Sequence, residues 1–342
     1  MSSTADTPRA RPQAAPEEAL DFFIDYEPPS ADFLSDVLAG LNAAPKFVPP
    51  KYFYDAEGSR LFDEICRTEE YYVTRTEIAL LEETGPRLAE LAGAGAVVIE
   101  YGSGSGWKSR RLLDSLEAPA AYMAIDISRD HLIAATAEIA ADYPELTVGA
   151  ICADFMSPIP LPEQLSGVGK RRLGFFPGST IGNFSLVQAE TLLTRVRGLL
   201  GPGGAFLVGV DLRKNSAILN RAYNDAAGQT AAFNLNLLRR MQSELGADLD
   251  LDDFDHLAFF NEEAGRIEMH LKALRDTEIR LGAKRFALRK GETIHTENSR
   301  KYTIGEFSAL AERAGYETEE VFCDEDGLFS LHLLKIPEAT HN

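Results

Sequence analysis

A short glycine-rich segment carries the residue types and the spacing best suited to binding a small ligand. Residues 100–108, Glu-Tyr-Gly-Ser-Gly-Ser-Gly-Trp-Lys, follow an apolar run that predicts a buried strand, and they precede a segment with a helical pattern. Glycines in such a turn let the backbone approach a ligand, and the helix that follows offers unpaired N–H groups at its positive end. Gly102 and Gly104 are therefore candidates for contact with a nucleotide-like cofactor.

The spacing of the glycines separates three possible ligands. A dinucleotide fingerprint needs Gly-x-Gly-x-x-Gly, but Trp107 stands where the third glycine would be. A P-loop needs a glycine directly before Lys-Ser/Thr, and the same indole precedes Lys108. S-adenosylmethionine fits better, because it carries no phosphate to surround and because the acidic Glu100 ends the strand.

Two further strand ends place acidic side chains where such a cofactor would extend. The first run ends in Asp126, roughly twenty residues beyond the first glycine, where an acid can accept hydrogen bonds from ribose hydroxyls. The second is followed by Asp154 and Phe155, which could bind the adenine amino group and cover the ring. As an alternative, Asp154 is a turn or helix-capping residue.

The composition excludes several classes of partner. The chain has 34 basic and 53 acidic residues, a formal charge of −19 at pH 7, which repels nucleic acids and anionic membrane surfaces. Its three scattered cysteines form no disulfide framework or zinc pair, and its six histidines have no ligand spacing, so we expect no metal. No stretch is long enough to span a membrane and no signal peptide is visible, so we expect a cytoplasmic protein.

Helix and strand patterns alternate from about residue 77 to residue 211, which predicts a doubly wound parallel sheet of the α/β class. The first helix of this region should break at Gly85-Pro86, and Ser128 should cap a later one. Helices and then short strands at 212–299 predict an insertion, where substrate choice should reside. A hairpin at 318–334 resembles the usual end of the class I methyltransferase fold.

We therefore predict three parts. Residues 1–23, rich in Pro, Ala, Ser and Thr, form a disordered tail. Residues 24–75 and 212–299 together form an α+β substrate-binding domain, and residues 76–211 and 300–342 form the methyltransferase domain. We expect such a chain to be a monomer.

Four longer segments carry a more specific pattern. They are Lys-Tyr-Phe-Tyr-Asp with Gly-Ser-Arg-Leu-Phe-Asp at 51–63, Glu-Tyr-Tyr-Val-Thr-Arg-Thr-Glu at 70–77, Gly-Ser-Thr-Ile-Gly-Asn at 178–183, and His-Thr-Glu-Asn-Ser at 295–299. Together they resemble the L-histidine Nα-methyltransferases of ergothioneine biosynthesis, in the same order and with similar spacing. The resemblance implies a class I S-adenosylmethionine-dependent methyltransferase fold with an added substrate-binding domain. It also implies conversion of histidine to its trimethylbetaine, hercynine.

The resemblance implies roles for individual residues as well. Those around the cofactor are Gly102, Lys108, Asp126, Asp154 and Phe155, and Tyr71 borders both cofactor and substrate. Those around histidine are Asn183 and Tyr223 at the carboxylate, Gly178 and Thr180 near the amine, Tyr54 and Phe62 facing the methyl-accepting nitrogen, and Glu297, Ser299 and Met269 around the imidazole.

These residue types suit methyl transfer to an amine. An in-line displacement needs a neutral nitrogen held about 3 to 3.5 Å from the methyl carbon, which fixing both ends of the substrate achieves. Glu297 can accept an imidazole N–H, and the rings of Tyr54 and Phe62 attract the growing ammonium. By pattern alone, however, Phe62 and Met269 would be core residues, and Glu297 would be a solvated turn residue.

Other functions stay open at this point. The first is Nα-methylation of another amino acid such as tryptophan or tyrosine, which Glu297 and Met269 disfavour. The second is a nicotinamide-dependent oxidoreductase, against which the glycine spacing argues. The third is a non-catalytic cofactor-binding module, against which the full set of substrate-holding residue types argues.

Overall fold

The computed structural model describes residues 16–26, 33–104 and 106–338. Within them the α-helices, numbered in chain order, are α1 (Phe33–Asn42), α2 (Ala56–Arg67), α3 (Tyr72–Ala92), α4 (Trp107–Ser115), α5 (Arg129–Asp142), α6 (Leu186–Leu200), α7 (Ser216–Ala222), α8 (Gln229–Leu245) and α9 (Ile304–Arg313). The strands are β1 (Phe22–Asp25), β2 (Lys46–Phe47), β3 (Ala96–Tyr101), β4 (Ala121–Asp126), β5 (Thr147–Cys152), β6 (Arg171–Phe176), β7 (Ala205–Asp211), β8 (Phe254–Asn261), β9 (Arg266–Ala273), β10 (Thr277–Leu281), β11 (Lys284–Leu288), β12 (Thr293–Arg300), β13 (Glu317–Cys323) and β14 (Phe329–Lys335).

The apolar runs form one eight-stranded sheet. Its spatial order is β1-β5-β4-β3-β6-β7-β14-β13; the strands from β1 to β7 pair in parallel, and β14 pairs antiparallel with β7 and β13. Every residue of β3 and β7 is buried, as expected for parallel strands covered on both faces. The chain order reverses between β3 and β6, where an α/β sheet opens a crevice for ligands. The doubly wound sheet and its closing hairpin confirm the predicted class I methyltransferase fold.

The alternation stops after β7, as predicted. Residues 212–299 supply α7 and α8, then strands of a second sheet with the order β2-β12-β9-β8, and the separate hairpin β10-β11. β2 comes from the N-terminal region and pairs in parallel with β12 through Lys46 and Phe47. The two chain segments that the sequence assigned to substrate binding therefore share a small sheet. β8, which pairs with β9 along its length, was not predicted.

The start of the chain differs from the predicted disordered tail. Residues 1–15 lie outside the described residues, but Pro16–Ala19 form a 3₁₀ turn and β1 extends the main sheet beside β5. The Phe22 ring lies over Gly149, where an added Cβ would come within 2.1 Å of the ring. This buried apolar contact stabilises the strand. The tail prediction is therefore wrong for residues 16–23, and the domain boundary at residue 24 cuts β1; the rest of the domain division stays a prediction.

α3 continues through Gly85 and Pro86, so the predicted break is wrong. Proline removes a backbone donor and usually kinks or ends a helix. Here Gly85 lies against α4, because an added Cβ would come within 2.9 Å of Ser115 Cβ. The glycine allows α3 and α4 to pack closely, and this tertiary contact outweighs the preference of Gly85 and Pro86 for ending a helix.

Among the described residues, no helix has both the length and the apolar character needed to cross a bilayer.

Candidate active site

A pocket at the carboxyl edge of the main sheet collects the residues predicted to hold the substrate. Its walls come from the loop after β6, from the region of α2 and α3, and from α7, α8, β9 and β12. The lining residues are Tyr54, Phe62, Ile65, Tyr71, Gly178, Ser179, Thr180, Asn183, Ala222, Tyr223, Thr230, Phe233, Met269, Glu297 and Ser299. Every residue that the sequence assigned to the substrate or to catalysis is in this set.

One wall of the pocket is aromatic. The Tyr54 ring centroid lies 5.9 Å from that of Phe62 and 5.8 Å from that of Phe233, with both contacts edge-on. Phe62 lies 6.3 Å from Tyr71, and Tyr71 lies 6.1 Å from Tyr223. Clustered ring faces of this kind attract a cation. Phe62 packs against the core and also lines the pocket, so its two interpretations from the sequence are compatible.

Two polar side chains reach the pocket because β12 contains a bulge. Its pairing with β9 shifts between His295 and Glu297, which leaves Thr296 as an extra residue. The Thr296 hydroxyl donates to Asn234 Oδ1 at 2.8 Å and fixes the bulge. Side chains alternate across a regular strand, but the bulge resets this alternation, so Glu297 and Ser299 are both buried at the pocket.

Glu297 lies on β12 with its carboxyl buried, so it is not a solvated turn residue. Burial raises its pKa from 4.5 to about 7, and Lys301 partly offsets this effect. Within the described part of the chain, no hydrogen bond reaches this carboxyl, so it is available to a ligand N–H. Nearby, the Tyr223 hydroxyl donates to Ser299 Oγ at 2.8 Å. Met269, which pairs with Glu297 across the strands, is buried and supplies apolar surface.

A buried ion cluster that the sequence did not predict lies behind this polar end. Asp211, the last residue of β7, is fully buried and pairs with Lys214 and with Lys301, whose Nζ lies 2.6 Å from Oδ2. The Tyr72 hydroxyl donates to Asp211 Oδ1 at 2.7 Å. Burial lowers the pKa of Lys214 to about 8, although Asp211 opposes this shift. The cluster places two cations around one carboxylate at the back of the pocket.

The loop after β6 connects the pocket to the glycine turn through one carboxylate. Gly178 has a φ of 76°, which favours glycine, and the 3₁₀ turn that follows runs from Thr180 to Asn183. The Glu77 side chain on α3 accepts the Gly178 N–H at 2.8 Å. The same carboxylate lies 2.6 Å from Lys108 Nζ on α4. Lys108 and Gly178, which were assigned to different ligands, therefore share a partner.

The glycine turn lies at the carboxyl end of β3, where the sheet order reverses. Gly102 and Gly104 have φ values of 76° and 48°, and a Cβ added at either position would meet nothing within 4 Å. The backbone of the turn therefore faces open space, as the close approach of a cofactor requires. The arrangement fits the predicted S-adenosylmethionine.

The two neighbouring strand ends place the other predicted cofactor residues at the same edge. Asp126 ends β4 and accepts the Ser128 N–H at 2.9 Å, and burial raises the pKa of its carboxyl. Asp154 follows β5 and accepts the Met156 N–H at 2.8 Å through Oδ1. That bond is the turn role considered as its alternative, and it uses one carboxylate oxygen. Phe155 is partly buried beside it.

Ser128 joins this edge to the aromatic wall. Its side chain does not cap α5, contrary to the prediction. Instead its Oγ donates to the Tyr54 carbonyl oxygen at 3.2 Å, while its N–H bonds to Asp126. The proposed cofactor edge and the pocket are therefore adjacent.

The chain matches a known family over most of its length. Residues 33–336 match the family described as histidine-specific methyltransferases that depend on S-adenosylmethionine. The chain belongs to this family. A histidine N-alpha-methyltransferase from Mycolicibacterium smegmatis is 42% identical over 303 residues, which cover 87% of this chain and 93% of the relative. The protein of the same name from Mycobacterium tuberculosis is 39% identical over 305 residues, with the same coverage. Ergothioneine biosynthesis protein 1 from Neurospora crassa is 31% identical over 298 residues, which cover 85% of this chain and 33% of that protein.

The sequence did not point to Lys301, Asp211, Glu77 or Phe233 as residues in and around the pocket of this methyltransferase, nor to the lining residues Ile65, Ser179, Ala222 and Thr230. Lys301 stands two positions after Ser299, and residues two apart on a strand share a face, so this signal was available. Asp211 ends a parallel strand, which is also a recognisable position for a site residue. Phe233 had no such signal, because only the packing of α8 brings it to the pocket. Glu77 ends the segment at 70–77 but had no role assigned to it, because only the packing of α3 brings it beside Gly178.

Proposed function

We propose that this chain transfers three methyl groups in succession from S-adenosylmethionine to the α-amino nitrogen of L-histidine. The product is hercynine, and the reaction is a step of ergothioneine biosynthesis. The observation that carries the proposal is a pocket lined by a buried carboxyl and an aromatic wall, beside the carboxyl edge of the sheet where the glycine turn lies. The chemistry of its lining suits an amino acid with a basic ring.

The carboxyl edge of the sheet would hold the methyl donor. When bound there, S-adenosylmethionine supplies an electrophilic methyl group on a sulfonium sulfur. In this proposal Gly102 and Gly104 admit the cofactor, Asp126 accepts from the ribose hydroxyls, and Asp154 and Phe155 hold the adenine. The cofactor set is completed by Lys108 and Tyr71.

The pocket would hold histidine at both ends. Asn183 and Tyr223 give neutral hydrogen bonds to the substrate carboxylate, so an arginine is not needed. At the other end Glu297 accepts an imidazole N–H, Ser299 bonds the second ring nitrogen, and Met269 packs against the ring. Fixing both ends removes the freedom of the amine to leave its near-attack position.

The amine would lie between the loop after β6 and the aromatic wall. Gly178 and Thr180 border it on one side, while Tyr54 and Phe62 border it on the other. Each methylation turns a neutral amine into an ammonium, and the ring faces stabilise this charge as it develops. The residues thus orient the nucleophile and stabilise its product without a covalent intermediate on the protein.

The second candidate function is Nα-methylation of another amino acid such as tryptophan or tyrosine. Glu297 favours histidine, because its buried carboxyl has no hydrogen-bond partner among the described residues and can accept an imidazole N–H.

The test is incubation of the purified protein with S-adenosylmethionine and a panel of amino acids, followed by mass spectrometry. We expect mono-, di- and trimethylhistidine in sequence, and no methylated tryptophan or tyrosine. Methylation of another amino acid in the absence of any histidine product would refute the proposal.

A calorimetric titration of Glu297→Ala tests the assignment of the imidazole end. The loss of a charge-assisted hydrogen bond should weaken histidine binding by about tenfold or more, and cofactor binding far less. Equal losses for both ligands would contradict the assignment.

A further inference from the structure

Lys301 lies behind the polar end of the pocket, and all three of its ammonium N–H groups are engaged. It is buried, and its Nζ lies 2.6 Å from Asp211 Oδ2. It also donates to Ser299 Oγ at 2.9 Å and to the Tyr223 hydroxyl at 3.1 Å. A lysine ammonium has three donors and no acceptor. Each of the three oxygens is therefore the acceptor in its bond with Lys301.

These bonds favour one direction for the two hydroxyl groups at the pocket, because a phenol is a stronger donor and a weaker acceptor than an aliphatic hydroxyl. The Tyr223 hydroxyl accepts from Lys301 and donates its own proton to Ser299 Oγ at 2.8 Å. Ser299 Oγ thus accepts two bonds, which fill the two lone pairs of a serine hydroxyl. The proton of Ser299 is left to donate elsewhere, and the pocket lies in front of it.

A substrate carboxylate that takes the Tyr223 proton removes the bond from Tyr223 to Ser299 Oγ, but Lys301 still donates to both hydroxyl oxygens. A phenol oxygen that already accepts from an ammonium is a poor acceptor for a second proton, so Ser299 gains little by donating to Tyr223. The Ser299 proton therefore stays directed at the ligand.

We propose that Lys301 is a positioning residue that makes Ser299 a hydrogen-bond donor towards the substrate, beside the acceptor Glu297. A donor next to an acceptor matches a ring with one bare nitrogen and one N–H, which is the neutral imidazole. An indole has an N–H but no acceptor nitrogen. The inference rests on the proposed function and explains how the pocket selects its substrate.

Asp211 keeps the Lys301 ammonium in place, and Lys214 offers a matched control. Burial lowers the pKa of Lys301, but Asp211 and Tyr223 raise it above its ordinary value, so the cation persists. Lys214 bonds the same carboxylate and the Tyr72 hydroxyl. Among the described residues, it forms no hydrogen bond with Tyr223 or Ser299.

The experiment compares histidine with pyrrolylalanine, in which a C–H group replaces the bare nitrogen and an N–H is kept. Both ring isomers are used, and the quantity measured is the ratio of kcat/KM for histidine to that for the analogue. We expect the wild type to favour histidine by about tenfold or more, because the analogue leaves the Ser299 proton unpaired. In Lys301→Met/Asp211→Asn, which removes both charges together, the ratio should fall to about threefold or less, since Ser299 can then donate to Tyr223.

Lys214→Met removes a cation from the same carboxylate and should keep the wild-type ratio. Calorimetric affinity for S-adenosylmethionine, expected within about twofold of the wild type, checks that each variant is folded. An unchanged ratio in Lys301→Met/Asp211→Asn, or an equal fall in Lys214→Met, overturns the inference.

Ser299→Ala provides a check that does not depend on the folding of the charge variants. Removing the hydroxyl should give the same low ratio, and a ratio of wild-type size would overturn the inference by itself. If the wild type methylates no histidine, the proposed function fails instead, so the two failures can be told apart.

Discussion

Glu77 and Lys108 form an ion pair of 2.6 Å in which the carboxylate has no exposed surface. The same carboxylate accepts the Gly178 N–H at 2.8 Å. One side chain on α3 therefore connects the helix of the glycine turn with the loop that borders the proposed amine position. A change at Glu77 should disturb the donor side and the acceptor side together.

We expect Glu77→Gln to lower the free energy of unfolding by about 3 kcal/mol, because it leaves a largely buried ammonium without its counter-ion. The amide can still accept the Gly178 N–H, but its NH₂ group faces Lys108. The KM values for both substrates should rise together, and steady-state kinetics with each substrate varied will show this.

Glu82→Gln is the matched control, since Glu82 pairs with Arg111 at 2.8 Å across the same two helices, but both side chains are half exposed. Exposed pairs contribute little, so this change should lower stability by less than about 1 kcal/mol and leave both KM values unchanged. A Glu77→Gln protein in which only one KM rises would show that Glu77 does not couple the two sides.

Gly178→Ala should impair catalysis more than it impairs folding. Its φ of 76° is unfavourable for alanine, and the new Cβ would lie 3.2 Å from Lys108 Nζ. We expect the strained backbone to lower the free energy of unfolding by about 1 kcal/mol. Displacement of Lys108 and the loop should lower kcat/KM by at least about tenfold. Thermal unfolding and initial rates measure the two effects.

Gly327→Ala separates these effects, because Gly327 has a φ of 64° in the turn between β13 and β14, does not line the pocket, and an added Cβ meets nothing within 4 Å. It should lose similar stability and keep full activity. If Gly178→Ala also keeps full activity, the loop does not position the amine.

The parts predicted from the sequence and the parts missed have different physical origins. The parallel sheet was predictable because strands such as β3 are largely apolar and buried throughout. The glycine turn was predictable because its backbone needs positive φ angles. The Pro86 break and the Ser128 cap were wrong because contacts from distant residues override local preference. The bulge at Thr296 left no local signal, since Asn234, from another helix, fixes it.

The aromatic wall should matter most for the later methylations. Tyr54→Leu removes a ring face from the developing ammonium, which should slow the third transfer on the order of fivefold and allow dimethylhistidine to accumulate. Tyr54→Phe keeps the ring and should keep the wild-type product pattern. Mass spectrometry of the products over time distinguishes the two variants. The same product ratios in both would argue against a cation–ring contact at Tyr54.

The buried Glu297 carboxyl should make the stability of the ligand-free protein depend on pH. Its pKa is about 7 in the folded protein, against an ordinary 4.5. A group whose pKa is raised in the folded protein contributes stability that is complete below the pKa it has in the unfolded chain. This contribution is lost as the pH rises through its pKa in the folded protein. The difference corresponds to about 3 kcal/mol at most. Relative to Glu297→Gln, the wild type should therefore become less stable from pH 4.5 to pH 8.

Urea unfolding of both proteins at pH 5, 6, 7 and 8 measures this difference. Burial also raises the pKa of Glu100 to about 7, but both proteins contain Glu100, so its effect on stability is the same in both and drops out of the difference. Glu292→Gln is the control of opposite sign, because the hydrogen bond from Lys46 holds the pKa of Glu292 below its usual value. Its contribution is lost only as the pH falls through that low pKa, so the stability curve of the variant should run parallel to that of the wild type above pH 5.

Bound histidine should flatten the pH dependence that Glu297 causes, because an imidazole N–H stabilises the ionised carboxylate. A wild-type curve parallel to that of Glu297→Gln would mean that the carboxyl is already ionised in the empty pocket.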